Sequence, residues 1–323
     1  MRRILLAGLL LISSGCSSTQ TLDARVSTAE PARGGVSSLQ QKSWLHGSGD
    51  CQANAGPALD IFHYDASSYI LRQNKCLSFE APFIYVLFGE EKVLVLDTGA
   101  TESALEFPLY ETVQTLIREQ SGNADREVLV IHSHSHGDHY RGDGQFDGKA
   151  NVTLVKPNYP ALTEFFNFSH WPDGEKQIEL GGRTVTVIPT PGHQEEAISV
   201  YDTKTQWLLT GDTFYPGLLY VKHWQDYKKS IARLVSFSQD HKVSAVLGAH
   251  IEMKNKPGEY YPIGSLYQPD EAPLALQPQD LMALHAALEK SPEPTKIIMN
   301  KFVVAPMSTW QKALSNIVRW LTQ

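Results

Sequence analysis

Several short stretches of the chain are apolar at every position. Phe83-Ile84-Tyr85-Val86-Leu87-Phe88 and Val93-Leu94-Val95-Leu96 flank Gly89-Glu90-Glu91-Lys92. That arrangement predicts a β-hairpin. Val128-Leu129-Val130-Ile131 reads as a strand covered on both faces, since such strands lose the polar alternation of a half-exposed one. Strands are also predicted over 152–155, 184–188 and 245–247, and residues 197–201 and 207–210 predict a second hairpin. Residues 109–119 and 225–239 instead carry apolar side chains at helical spacing, and Ser121-Gly122-Asn123 ends the first of these helices. Two more helices are expected over 281–289 and 309–321, beyond a proline-rich stretch at 257–278. Mixed strands and helices place the chain in the α/β class. Four of the apolar strands end at a side chain able to bind metal: His134 and its neighbours, His193, Asp212 and His250. Loops at one end of a sheet are where rigid scaffolds place their chemistry.

The N-terminus follows a different pattern. Met1-Arg2-Arg3 precedes an apolar run at 4–12 and then Ser13-Ser14-Gly15-Cys16. A basic end, a short apolar stretch and small residues are the parts of a secretory signal, and the run is too short to span a bilayer. Cys16 after a small residue resembles the lipidation point of a bacterial lipoprotein signal, although Ser13 stands where leucine is usual. The expectation is an exported protein, periplasmic or lipid-anchored to a bacterial membrane. The segment 17–50 is poor in large apolar residues at its start and reads as a flexible tether. A catalytic domain is then expected over 51–270 and a helical extension over 271–323. Cys51 and Cys76 remain as a pair that an oxidising compartment could join, and spacing alone leaves them as a disulfide or two thiols.

The 323 residues are 42% hydrophobic and 20% charged, which excludes a disordered or polytopic membrane protein. A formal charge of −7 gives no global attraction for nucleic acid, so no nucleic-acid partner is expected.

The chemistry concentrates in His132-Ser133-His134-Ser135-His136-Gly137-Asp138-His139. In extended chain, residues two apart face the same way, so His134 and His136 can grip one ion. Asp138 and His139 follow on the next turn and can address a second, with Gly137 permitting the tight backbone. Imidazole and carboxylate ligands suit zinc, with iron or manganese also compatible.

These residues, taken with Asp97-Thr98-Gly99, Pro191-Gly192-His193, Gly211-Asp212-Thr213 and Gly248-Ala249-His250, resemble the metallo-β-lactamase-fold hydrolases across roughly residues 83–253. The resemblance implies a four-layer αββα sandwich and two metal sites. The first takes His134, His136 and His193, and the second takes Asp138, His139 and His250. Asp212 bridges them, and Asp97 fixes a ligand imidazole from behind. Two zinc ions per chain would activate a bridging hydroxide, with Asp138 orienting it or moving its proton. A bridging Asp212 resembles glyoxalase II-type thioesterases, lactonases and phosphodiesterases. The substrate expected is therefore a small ester, lactone, thioester or phosphodiester. Two alternative enzymes share the fold: a β-lactamase, which usually has Cys or Ser in place of Asp212, and a mononuclear iron sulfur-dioxygenase-like enzyme. A non-catalytic binding lipoprotein is the remaining reading.

Tyr215 and Tyr220 follow the bridging aspartate and are candidates for binding a substrate carbonyl or for packing. Lys222 and His223 are candidates for an anionic group. The aromatic stretch 157–175 is a candidate lid or pocket wall. His132 is expected to support the cluster rather than ligate.

Overall fold

The structure, a computed structural model, describes residues 26–28, 35–121 and 126–322. The signal segment 1–16, with Cys16, lies outside the described residues, as does most of 17–34. Seven strands form the larger sheet in chain order: β1 (Val26–Thr28), β2 (Leu59–Asp65), β3 (Ser68–Gln73), β4 (Phe83–Phe88), β5 (Lys92–Leu96), β6 (Glu127–Ile131) and β7 (Val152–Leu154). The second sheet contains β8 (Lys176–Glu179), β9 (Thr184–Pro189), β10 (Ile198–Asp202), β11 (Trp207–Gly211) and β13 (Ala245–Gly248). Its spatial order is β13-β11-β10-β9-β8. Both predicted hairpins form, β4 against β5 and β10 against β11, each antiparallel. β5 pairs with β6, and β11 with β13, in parallel.

Alternation along these all-apolar strands explains the layers. Tyr85, Leu87, Leu94, Leu96, Leu129 and Ile131 point inward, against Val187, Ile198, Val200, Trp207, Leu209 and Leu247 of the other sheet. Their neighbours Ile84, Val86, Val93, Val95, Val128 and Val130 face outward, onto Leu109, Val113, Leu116 and Ile117 of α2 (Leu109–Ser121). On the far side, Ile188, Leu208 and Val246 meet Tyr227, Ile231 and Leu234 of α5 (Trp224–Asp240). Helix, sheet, sheet and helix are thus stacked as four layers, the αββα sandwich expected. The central strands β4, β5, β6, β10, β11 and β13 are buried on both faces, which is why no polar period shows in their sequences.

Two of the expected boundaries are corrected by packing. The segment 17–50 is not a tether throughout: α1 (Val36–Gln41) buries Leu39, and Trp44 packs edge-on to Phe62 and Phe83 between the sheets. Lys42 pairs with the buried Asp60 at 2.9 Å. The segment 271–323 is not wholly helical or appended. Its α6 (Pro278–Glu289) buries Leu281, Leu284 and Leu288 in the α5 layer. Its strands β14 (Ile297–Ile298) and β15 (Val303–Pro306) form a small sheet with β12 (Leu218–Val221). The last helix, α7 (Thr309–Thr322), follows. Cys51 and Cys76 are joined as a disulfide. Among the described residues no helix is long and apolar enough to cross a membrane.

Candidate metal centre

Five loops leave the sheets at one end and are tied together by their backbones. The Asp97 N–H donates to the Ile131 carbonyl (2.9 Å), and Thr98 N–H donates to the His139 carbonyl (2.7 Å). Ile198 N–H of the second sheet donates to the Ser133 carbonyl (2.8 Å), and Ala249 N–H donates to the Gly211 carbonyl (3.0 Å). Two glycines are required for this closeness. A Cβ on Gly192, whose φ is +145°, would lie 2.5 Å from the Tyr227 Cα, and one on Gly211, with φ +50°, would lie 2.5 Å from Ser133 Cβ. Gly137 needs no such freedom. It opens the short helix α3 (Gly137–Tyr140) and is limited only by the Arg141 side chain, 3.2 Å from an added Cβ.

The seven expected ligands converge. His134 Nε2 and His193 Nε2 each lie 3.0 Å from His136 Nδ1. Asp212 Oδ2 lies 3.7 Å from the first and 3.5 Å from the second. Beside this group, Asp138 Oδ2 is 3.2 Å from His139 Nε2 and 3.3 Å from His250 Nε2. Asp212 Oδ1 is 3.6 Å and 3.3 Å from the same two nitrogens. The carboxylate of Asp212 is therefore split, one oxygen toward each histidine set. Ligands about 2.0–2.1 Å from a tetrahedral ion stand about 3.3 Å apart, the spacing seen here.

Hydrogen bonds behind the rings decide which nitrogens face inward. His193 Nδ1 donates to the Tyr220 carbonyl (2.7 Å) and His250 Nδ1 to the Glu80 carbonyl (2.9 Å). His139 Nδ1 donates to Asp97 Oδ2 (2.9 Å). Ser133 Oγ donates to the same Asp97 oxygen (2.9 Å) and accepts from His134 Nδ1 (3.1 Å). With protons on those four Nδ1 atoms, four Nε2 lone pairs point into the centre. His136 is reversed: Nδ1 faces inward, and Nε2 meets the side-chain amide nitrogen of Gln194.

The residues fit a metal pair on their own chemistry. Lone pairs of ring nitrogens 3.0 Å apart repel unless a cation lies between them. Asp212 Oδ1 is buried and accepts no hydrogen bond of good geometry. A buried carboxylate oxygen in that position is a ligand in waiting.

Electrostatics divide the two sets. Burial pushes the His134, His136 and His193 imidazoles down, His136 to about 3, so these rings are neutral. Burial also acts to lower His139 and His250, but Asp138 and Asp212 near both, with Asp97 near His139, outweigh it and hold them well above the usual range. Burial would raise Asp138 and Asp212, and the surrounding imidazoles hold both well below instead.

Other expected residues fall in different places. Asp97 is buried and accepts from His139 Nδ1, and His132 bridges the Val155 carbonyl (2.9 Å) and Asp143 (2.8 Å). Tyr215 is not available to substrate: it is 2% exposed and its hydroxyl donates to the Leu218 carbonyl (2.6 Å). Tyr220 lines a cavity of about 320 Å³ that opens beside His136. Lys222 is no free anion contact either, being buried with its ammonium 2.9 Å from Glu195, which His223 also meets at 3.1 Å. The aromatic stretch folds as α4 (Tyr159–Phe166) and a following turn, and Trp171 Nε1 donates to the Glu195 carbonyl (3.1 Å). Sequence reading missed Gln194 and Glu80. Gln194 directly follows a ligand, which is a usable signal; Glu80 acts through its backbone and leaves none.

Residues 77–264 match the sequence model of the metallo-beta-lactamase superfamily. The acyl-coenzyme A thioesterase MBLAC2 of Gallus gallus is 26% identical over 203 residues, 53% of this chain and 72% of that one. Its Homo sapiens counterpart is 27% identical over 201 residues, 52% and 72% of the two chains. A solved metallo-beta-lactamase from Pontibacter korlensis is 16% identical with a TM-score of 0.46, covering 72% of this chain and 100% of its own.

Proposed function

The chain belongs to the metallo-beta-lactamase superfamily, and from that premise we propose that it is an exported dinuclear zinc hydrolase that cleaves thioesters. The observation that carries the reading is the split carboxylate of Asp212, with one oxygen toward His134 and His193 and the other toward His139 and His250. His134, His136, His193 and Asp212 would hold one ion, and Asp138, His139 and His250, with the other oxygen of Asp212, the second. When bound, such a pair acidifies water for attack and offsets negative charge on the substrate oxygen.

The protein's own groups do the rest. Asp97 holds His139 in the tautomer that presents Nε2, and the Tyr220 and Glu80 carbonyls do the same for His193 and His250. Asp138 directs Oδ2 at His139 and His250, which leaves Oδ1 to take the proton of the attacking water. Water oxygen adds to the carbonyl carbon, the C–S bond breaks, and the proton passes to the departing thiolate. The products are an acid and a thiol. Burial, with Glu252 and Glu80 adding to it, pushes the Tyr220 phenol up, so its hydroxyl remains a hydrogen-bond donor at the rim of the site.

Choice of a thioester draws on the two relatives named as acyl-coenzyme A thioesterases. Export draws on the basic-apolar start of the sequence and on the Cys51–Cys76 disulfide, which suits an oxidising compartment. The test is a hydrolysis panel on zinc-loaded protein: thioesters, lactones, phosphodiesters and β-lactams. Thiol release that a chelator abolishes and zinc restores supports the assignment. Turnover of a phosphodiester or a β-lactam with no thioester cleavage overturns it.

A further inference from the structure

The cavity beside His136 has a composition that identifies what enters it. Ser135, His136 and Gln194 line it, so it borders the metal-binding set. Its walls are Ile263, Met307 and Leu314, with Tyr220 at the rim. No Asp, Glu, Lys or Arg lines it, in a chain whose formal charge is −7. A phosphate-bearing or carboxylate-bearing group would find no cation there. Apolar wall residues are meanwhile left in water: Ile263 is 66% exposed and Leu314 46%. Trp310, Leu314 and Ile317 recur at helical spacing along α7, and all three are exposed. Ser315 of the same helix reaches Gln194 at 3.1 Å, which fixes α7 against the site.

We propose that this groove, lined by α7 and Ile263, binds the hydrocarbon chain of the acyl group and so favours longer acyl chains over short ones. The proposal rests on the thioester reading above. It also orients the substrate: the chain lies in the groove beside His136, and the thiol portion with any charged carrier points away to solvent. Each methylene entering the groove leaves water, which is worth about a fourfold gain in apparent affinity.

The experiment uses the zinc-loaded full chain with acetyl, butyryl, hexanoyl and octanoyl thioesters of N-acetylcysteamine. Wild type is expected to show kcat/KM rising about fourfold per methylene, through KM. Ile263→Asp and Leu314→Asp should flatten that rise. Ile263 lies in a loop and its variant does not depend on α7 folding. A chain-length series that is flat in wild type, or equally steep in both variants, overturns the proposal. A second arm measures binding of the uncleavable thioether S-octyl-N-acetylcysteamine to metal-free protein by calorimetry. Binding that weakens at least tenfold in Ile263→Asp supports the groove, and unchanged binding refutes it. If even the acetyl thioester resists the loaded enzyme, the reaction assignment fails, and the calorimetric arm still decides the groove.

Discussion

Replacing Asp97 with Asn would leave the shape of the centre intact and disturb a single proton. Asp97 is 1% exposed and sits at φ +71°, a conformation asparagine tolerates better than most residues, so the backbone is preserved. Its Oδ1 accepts from Ser133 N–H (2.7 Å), and its Oδ2 accepts from Ser133 Oγ (2.9 Å) and His139 Nδ1 (2.9 Å). An amide has one acceptor oxygen for these two sides. If the oxygen stays on the Ser133 N–H, the NH2 faces His139 and forces its proton onto Nε2, the nitrogen that must ligate. If the oxygen turns to His139, a buried N–H of Ser133 faces an NH2. Losing a charge-assisted hydrogen bond costs about 1.5–3 kcal/mol. The expected result is a 10–100-fold loss of affinity at one metal site, since such supporting partners carry that much. Zinc titration against a chromophoric chelator should resolve one weakened site and one within about threefold of wild type. Equal weakening of both sites in a protein with an unchanged thermal midpoint would refute the reasoning, as would no weakening at all.

Gln194→Leu removes the side-chain amide that orients the His136 ring through Nε2, and the same titration should show the three-histidine site weakened about tenfold or more, with the His139–His250 site retained. Trp44→Ala should cost about 3–5 kcal/mol in urea denaturation, because the ring is buried against Phe62 and Phe83; a loss under 1 kcal/mol would return this segment to a tether. Lys75 is buried and, chiefly through burial with Arg72 adding to it, is lowered from 10.5 to about 8. The unfolded chain therefore binds more protons than the folded one between those values, and this group makes stability rise with pH there. Relative to Lys75→Met, wild type should gain up to about 3 kcal/mol between pH 7 and 10.5, and a constant difference in urea midpoints would contradict it.

The elements that were legible in the sequence share a physical cause. Strands such as Glu127–Ile131 lie between two apolar layers, so their sequence is apolar throughout and their ends are marked by the ligands they carry. The β2–β3 hairpin lacked that signature because Asp60, Ser68, Arg72 and Gln73 are buried within it. Arg72 is held by Glu271, distant in sequence, and the hairpin turn is made by Asp65 accepting from Ser67 N–H (2.7 Å) without a glycine. The segment holding α1 reads as polar, and its apolar anchors are Leu39 and Trp44, spaced too far apart to show a period. At the centre, the seven residues that converge were each marked in the sequence by a short motif. Tyr215 and Lys222 could not be placed from spacing, since their burial depends on Leu218, Glu252 and Glu195 closing over them.

The account turns on Asp212 joining two cations. Anomalous scattering at the zinc edge, collected from crystals of the zinc-loaded chain, tests it most directly. Two peaks are predicted, one between His134, His136 and His193 and one between Asp138, His139 and His250, each in contact with a different oxygen of Asp212. A single peak, or two peaks of which neither touches Asp212, would contradict it.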